Sequence, residues 1–339
     1  MDRGEPDAAE LEQMREHVAE GMAAGALGIS TGLIYPPGAF ARTEEIIALA
    51  KVAAEHGGLY MTHMRDEGER LLEAIEEAVR IAREAELPLE ISHHKAAGRD
   101  NWGKTEQSLA LIEKEHAAGL DVNFDAYPYT AAAPSLPSWH VAVKPNQTAS
   151  SSPPCATILS TKARRWRSSP ICSTYRPTRA AQRVLEADPG AVGVFFMMDE
   201  ADVRRVLTHP LCMIGSDGIP SPTGKPHPRL YGTFPRVLGT YVREERLFSL
   251  EEGVRKMTSL PARRFGLADR GELREDRAAD IVIFNPDTIA DTATYEDPRQ
   301  YPAGIEYVIV NGEIAVERGK QTTSRAGRLL RRGGSSRSS

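Results

Sequence analysis

Amphipathic helical patterns alternate with short apolar strand patterns along the first 126 residues of the chain. Residues 8–24 carry apolar side chains at three- and four-residue spacing, which predicts a helix that ends at Gly25. The short apolar run 26–30 then predicts a buried strand. The same order recurs in helices 43–56, 66–85 and 105–118 and in strands 59–63, 88–93 and 121–125. Repeated units of about 30 residues are typical of a parallel sheet with helical crossovers.

Polar side chains mark the ends of the predicted strands. Ser30, His63, His93 and Asp125 each stand at the C-terminal end of a strand. Doubly wound sheets and (β/α)8 barrels both give this order of elements. Chemistry at several successive strand ends suits the catalytic face of a barrel, so the pattern favours the barrel within the α/β class.

The regular order stops and later returns. Residues 138–183 are rich in Ser, Arg, Pro and Thr without a helical or strand period, so we interpret them as an irregular insertion between barrel units 1–137 and 184–270. A reading-frame slip that later reverts is an alternative explanation for this segment. The second half predicts strands 192–198 and 211–218, and then helices 199–208, 230–245, 249–258 and 261–266.

The C-terminal part changes to a strand pattern. Short strands are predicted at 280–284, 305–310 and 313–317, and Asn311-Gly312 is a strong hairpin signal. Residues 271–324 therefore form a predicted small β subdomain. Residues 325–339 are basic and then Ser-rich, which predicts a frayed tail.

Charge and cysteine content narrow the class of function. The chain has 42 Lys plus Arg and 47 Asp plus Glu, a net charge of -5, which argues against a general nucleic-acid binder. No apolar run reaches the roughly 20 residues of a membrane span, and the polar start does not resemble a secretory signal. Three cysteines without a CxxC pair fit a reducing compartment, so we expect a cytoplasmic protein.

Three strand-end motifs could carry chemistry: THMR at 62–65, SHHK at 92–95 and GSDG at 215–218. Imidazole nitrogens are good zinc ligands, and a carboxylate can bind metal or act as a general base. Any one of these could be an ordinary polar strand end. Their coincidence with the β/α order favours a metal site and hydrolysis by a metal-activated water.

Six blocks of sequence resemble the N-acyl-D-amino-acid deacylases (D-aminoacylases), a branch of the metal-dependent amidohydrolase superfamily. They are GALGISTGLIYPPG (25–38), YMTHMRDE (60–67), ISHHKAAGRDNWG (91–103), DAYPYTA (125–131), MIGSDG (213–218) and HPRLYGTFPRVLG (227–239). The resemblance covers residues 8–137 and about 184–332. It implies a TIM-like amidohydrolase barrel, a small C-terminal β-sandwich subdomain and zinc-dependent removal of the acyl group from N-acyl-D-amino acids.

The resemblance also implies roles for single residues. His63 and His93 match the zinc-binding histidines, and Asp217 matches the catalytic aspartate that serves as general base and acid. We expect His94 to be a packed neighbour and not a ligand. The expected partner is a small-molecule N-acyl amino acid, with neither nucleic acid nor membrane, and the sequence says nothing about oligomeric state. Four residues match positions that hold the substrate carboxylate: Lys95, Tyr35, Tyr127 and Arg229.

Two parts of the family pattern are absent from the sequence. The His-x-His pair of the first barrel strand does not occur, and all three cysteines come too late to supply the usual early ligand. We therefore expect a partial barrel that lacks about three of the eight strands of a (β/α)8 fold. A non-catalytic remnant, or a dihydroorotase- or hydantoinase-like cyclic amidohydrolase, are the alternatives. An anion- or nucleic-acid-binding role for the basic tail is a further, less favoured one.

Overall fold

The structure, a computed structural model, describes residues 5–133, 156–159, 192–220 and 225–332. Its first part confirms the alternating order of helices and strands. The elements are α1 Ala8–Ala23, β1 Gly28–Gly32, α2 Thr43–Glu55, β2 Leu59–His63, α3 Leu71–Ala85, β3 Leu89–Ile91, α4 Thr105–Ala117, β4 Val122–Ala126 and β5 Ala131–Ala132.

The second part contains shorter elements. They are β6 Ala156–Leu159, β7 Val192–Phe196, α5 Glu200–Thr208, β8 Cys212–Ile214, α6 Arg229–Arg236, a π-helical continuation Val237–Glu244, α7 Leu250–Met257, α8 Ser259–Arg264, β9 Ile281–Phe284, β10 Ile305–Val310, β11 Glu313–Glu317 and β12 Lys320–Gln321. Among the described residues, no helix combines the length and the apolar character needed to cross a membrane.

Five parallel strands form the central sheet, in the order β1-β2-β3-β4-β8. Neighbouring strands start and end nearly level, for example with Gly32 opposite His63 and Thr62 opposite Ile91. The side chains that follow these strands therefore project from one edge of the sheet. This α/β architecture with helical crossovers agrees with the predicted partial barrel.

The helices cover the sheet with one apolar face each. In α3 that face is continuous, and every fully buried Leu or Ile contributes roughly 1.5–3 kcal/mol. Charged residues such as Glu73, Glu76 and Arg80 occupy the opposite face. The buried positions of α3 are Leu71, Ala74, Ile75, Ala78, Val79, Ile81, Ala82 and Ala85.

Several expectations about elements were wrong in detail. Helix α3 begins at Leu71 and not at residue 66, because Asp66 Oδ1 accepts hydrogen bonds from the backbone of Gly68 and Arg70 and forms a turn. Strand β7 does not join the parallel sheet; it pairs antiparallel with β5 and β6. Strand β6 lies within the segment 138–183, and the rest of that segment is outside the described residues.

The C-terminal prediction was right for the sheet, and of the predicted tail only residues 325–332 lie within the described part of the chain. Strands β9 to β12 form a four-stranded antiparallel sheet, and Asn311-Gly312 joins β10 to β11 as expected. Residues 325–332 contact the rest of the chain at two places, since the Arg332 amide donates to Gly25 O at 3.1 Å and Asn311 Nδ2 donates to Ala326 O at 2.6 Å. The end of the described chain therefore packs beside the C-terminus of α1.

Candidate metal and substrate site

The ends of strands β2 and β3 bring two histidines together. His63 is the last residue of β2, and His93 follows β3 by two residues. Their rings lie with centroids 4.4 Å apart at an interplanar angle of 68°. The pairing of parallel strands thus places the two predicted ligands side by side, although 30 residues separate them in sequence.

Glu67 completes a compact group with these histidines. Its Oε1 lies 2.9 Å from His93 Nδ1, and its Oε2 lies 3.8 Å from His63 Nε2. The three donor atoms all lie within 4.8 Å of one another. Two imidazoles and one carboxylate form one of the ligand sets of catalytic zinc sites.

Burial sets the protonation of this group. Burial lowers the pKa of His63 to about 4, so its imidazole is neutral near pH 7 and has a lone pair for a metal. His63 Nε2 is buried and has no hydrogen-bond partner in the described part of the chain. An unpaired buried nitrogen costs free energy, and a cation would remove that cost.

Lys95 supplies positive charge at the same place. Its Nζ donates to Glu67 Oε1 at 2.5 Å and lies 2.8 Å from His93 Nδ1. Burial alone would raise the pKa of Glu67, but Lys95 and the two histidines outweigh it and hold that pKa well below its usual range. Burial alone would lower the pKa of Lys95, but Glu67 reverses this and raises it. The pair is therefore ionised although both side chains are buried.

The backbone around His93 is held in an uncommon conformation. His93 has φ 39°, in the left-handed region, and its amide donates to Asp125 Oδ1 at 3.0 Å. Asp125 in turn lies against Gly215, where an added Cβ would stand 2.5 Å from Asp125 Oδ1. The Gly of the GSDG motif thus lets β8 approach the carboxylate that fixes His93.

Asp217 and Arg229 form an ion pair at the end of β8. Arg229 Nη2 lies 2.8 Å from Asp217 Oδ2, and Asp217 also has a positive φ, 46°. The Arg229 side chain is 4% exposed, and its Nε and Nη1 have no hydrogen-bond partner within the described residues. Arg229 therefore holds Asp217 with one nitrogen while two buried donors remain for an anion.

The two tyrosines of the predicted set line this group. The Tyr127 ring centroid is 5.5 Å from Lys95 Nζ and 4.7 Å from Arg229 Cζ, so both cations contact this ring. Its buried hydroxyl has no partner among the described residues. Tyr35 packs on His63 with ring centroids 4.8 Å apart, and burial raises the pKa of Tyr35 to about 12. Both phenols are neutral donors near pH 7.

Other predictions about single residues meet mixed outcomes. His94 is buried and its Nε2 lies 2.8 Å from Ser108 Oγ, in keeping with a packed neighbour. His209 and His227, which belong to none of the three strand-end motifs, are also buried and hydrogen-bonded. Sequence reasoning also missed Glu67, although its position four residues after His63 in THMRDE was a usable signal.

Comparisons with known proteins agree with the motifs. The model of the amidohydrolase family matches residues 1–316. The D-aminoacylase of Alcaligenes xylosoxydans xylosoxydans is 46% identical over 323 residues, which is 95% of this chain and 65% of that protein. A crystal structure of D-aminoacylase is 43% identical with a TM-score of 0.84, covering 97% of this chain and 68% of that one.

A further solved structure carries ligands. The N-acyl-D-glutamate deacylase from Bordetella bronchiseptica, solved with zinc and a phosphonate mimic of the tetrahedral intermediate, is 38% identical with a TM-score of 0.84, covering 96% of this chain and 67% of that one. The chain spans about 65% of the length of the curated relatives it matches. The resemblance inferred from the six sequence blocks is confirmed.

Proposed function

The chain belongs to the amidohydrolase family, and we propose that it hydrolyses the amide bond of N-acyl-D-amino acids with the help of zinc. The observation that carries this proposal is the convergence of His63, Glu67 and His93 with Lys95 at one edge of the sheet. Asp217, three residues after β8, and Arg229, the first residue of α6, form their ion pair near this edge. Histidines, a carboxylate and two cations are the groups that metal-assisted hydrolysis of an anionic amide needs.

The residues present fit a zinc ion. His63 and His93, with Glu67 as a third ligand that the motifs did not indicate, would hold it, and the unpaired His63 Nε2 supports this assignment. When bound, zinc polarises a carbonyl and lowers the pKa of water. The three ligands come from the ends of two neighbouring strands, so their spacing depends on the sheet itself.

Asp217 is the proton carrier of the proposed reaction. Its carboxylate accepts a proton from the attacking water and then passes it to the nitrogen of the leaving amine, so the proton is conserved across the step. The Arg229 guanidinium fixes the orientation of the Asp217 carboxylate through the 2.8 Å contact. Asp217 is partly exposed, with 32% of its side-chain surface accessible, so water can reach it.

The substrate carboxylate binds between the cations. The two unpaired donors of Arg229 and the hydroxyl of Tyr127 are buried and aimed at no described acceptor. Charge-assisted hydrogen bonds from such donors bind carboxylates well. Lys95 Nζ lies 5.5 Å from the centroid of the Tyr127 ring and adds positive charge. Fixing the carboxylate and the scissile amide orients the α-carbon, so that a third contact, to its side chain, selects one stereoisomer.

The test uses the purified chain with added zinc. We expect release of free amine from N-acetyl-D-amino acids and little from the L-enantiomers, with neutral, D-glutamate and D-aspartate side chains compared. Asp217→Asn keeps the shape of the side chain but removes the base, so kcat should fall about 10²–10⁴-fold while one zinc stays bound. His63→Asn should instead lose the zinc.

Each result separates two interpretations. Turnover by Asp217→Asn at the rate of the unchanged protein would contradict the assigned base. Zinc bound by His63, Glu67 and His93 without any amine release would contradict the activity and favour the non-catalytic alternative. Faster opening of a cyclic amide than of a linear one would favour the hydantoinase-like alternative.

A further inference from the structure

We propose that Arg65 is a positioning residue, whose guanidinium fastens the loop between β1 and α2 to α3 and so keeps Tyr35 packed on His63. The loop is residues 33–42. We call Arg65, Glu77 and the two loop carbonyls that accept from Arg65 the Arg65 latch. The inference rests on the proposed function only where it treats His63 as a metal ligand. The contacts of the Arg65 latch do not depend on the proposed function.

Arg65 uses its guanidinium on two partners at once. Nε and Nη2 donate to the Glu77 carboxylate at 2.8 and 2.9 Å. These bonds join the segment just after His63 to the middle of α3. Nη1 donates to Ala39 O and Nη2 to Ala41 O, both at 3.0 Å. Thr43 Oγ1 donates to Glu77 Oε1 at 2.8 Å. The end of the loop is thus tied to α3 at three points.

The tied segment supports Tyr35 through the backbone. The Ala39 amide donates to Tyr35 O at 2.8 Å, and the Tyr35 amide donates to Gly32 O at 3.1 Å. The Leu33 amide donates to His63 O at 3.0 Å, which fixes the other end of the loop to β2. The ring of Tyr35 then meets the ring of His63 at 4.8 Å. A shift of residues 39–41 would therefore move Tyr35 relative to His63.

The charges of the latch are well matched to its place. Burial raises the pKa of Glu77, but hydrogen bonds from Arg65 and Thr43 outweigh it and lower that pKa, so the carboxylate is ionised near pH 7. The two side chains are 24% and 15% exposed, which keeps much of the pair from solvent screening. The planar guanidinium offers donors in two directions, which a lysine ammonium cannot reproduce.

The first test measures amide hydrogen exchange. In Arg65→Met, the amides of Tyr35, Ala39 and Ala41 should exchange at least about tenfold faster, because their hydrogen bonds lie in the released loop. Arg80→Met is the matched control: this arginine also lies next to Glu77 on α3, but its ion pairs with Glu44 and Glu84 are exposed. Unchanged exchange in Arg65→Met, or equal acceleration in both variants, would overturn the proposal.

The second test separates positioning from general stability. Zinc affinity is measured by competition with a chromophoric chelator in a double-mutant cycle of Arg65→Met and Tyr35→Ala. Alone, Arg65→Met should weaken zinc binding about tenfold, the usual size for residues that orient a ligand. In the Tyr35→Ala background, Arg65→Met should change the zinc affinity by less than about twofold, because the ring that the Arg65 latch positions is absent.

The outcomes of the cycle are distinct from those of the proposed function. An equal loss of affinity in both backgrounds would show that Arg65 acts on the site without Tyr35, and would overturn the proposal. Failure of the unchanged protein to bind zinc would contradict the zinc assignment alone. Hydrogen exchange would then decide the latch, because it needs no metal.

Discussion

A buried ion pair lies near the N-terminal ends of strands β3 and β4, whereas the candidate site lies at the C-terminal ends of the strands. Glu90 in β3 has no exposed surface, and Arg264 at the end of α8 has a side chain that is 3% exposed. Arg264 Nε lies 3.1 Å from Glu90 Oε2, and the guanidinium also donates to Leu89 O and to Asp121 Oδ1, the latter at 2.7 Å. Glu90 Oε1 has no partner among the described residues.

The effect of Arg264→Met follows from these contacts. The substitution leaves a fully buried carboxylate without its cation and the carbonyl of Leu89 without its donor. Removing one partner of a buried pair costs about 3–5 kcal/mol of the free energy of unfolding. The contact with Asp121 adds little, because that carboxylate is 66% exposed.

The loss of stability caused by Arg264→Met should depend on pH. Burial, and then the nearby Asp125, raise the pKa of Glu90 well above its usual range, although Arg264 lowers it. A carboxyl whose pKa is raised by folding takes up protons in the folded state, so its ionisation removes stability as the pH rises from about 4.5 through the folded pKa. Without Arg264 that pKa rises further. The free energy of unfolding that Arg264→Met removes should therefore grow as the pH rises through the folded-state pKa of Glu90.

Urea unfolding followed by circular dichroism measures the effect. Arg263→Met is the matched control, because this neighbouring arginine is 60% exposed and should change the free energy of unfolding by less than about 0.5 kcal/mol. Glu90→Gln in the Arg264→Met background removes the buried charge and should restore at least about 1 kcal/mol at pH 8. Equal stability of the Arg264 and Arg263 variants, or no recovery in the double variant, would refute the reasoning.

Three further outcomes are expected. Asp202→Asn should lower the free energy of unfolding by about 1–3 kcal/mol, since this buried carboxylate accepts from the Gly103 amide at 2.7 Å and from Arg205 at 2.6 Å. Burial lowers the pKa of His227 to about 3, so on acidification the unfolded chain takes up the proton before the folded chain does. The free energy of unfolding should therefore fall as the pH drops from 6.5 towards 3. In urea titrations, His227→Gln should make this fall less steep. Saturation with zinc at 100 times its Kd should raise the free energy of unfolding by about 2.7 kcal/mol, and a chelator should reverse the rise in Tm; an unchanged Tm would contradict the metal site.

The order of helices and strands could be predicted because local rules decide it. Gly25, Gly57 and Gly119 each have a positive φ and end a helix just before a strand, as their sequence positions indicate. The partners of β7 could not be predicted this way. Its apolar run fits a parallel or an antiparallel sheet equally well, and only the tertiary fold chooses the antiparallel pairing with β5 and β6.

Buried charges were the harder part of the prediction. Arg263 and Arg264 are adjacent and chemically identical, yet the first is 60% and the second 3% exposed. The partner that buries Arg264 lies 174 residues away, in β3. A charge that is satisfied only by a distant partner leaves no local periodic signal, so it looks like an exposed helical arginine.

The segment after β2 shows why the site itself was only partly visible in the sequence. The run Arg65-Asp66-Glu67 has the composition of an exposed helix start, and pattern alone assigned Asp66 and Glu67 to the helix that follows. In the structure each charge has a different partner. Arg65 binds Glu77 and the loop before α2. Asp66 accepts from the amides of Gly68 and Arg70, and Glu67 contacts His93 and Lys95. The turn made by Asp66 delays the helix and so frees Glu67 to face the histidines. Substitutions in this charged run should therefore affect metal binding, whereas equal substitutions among the exposed charges of α1 should not.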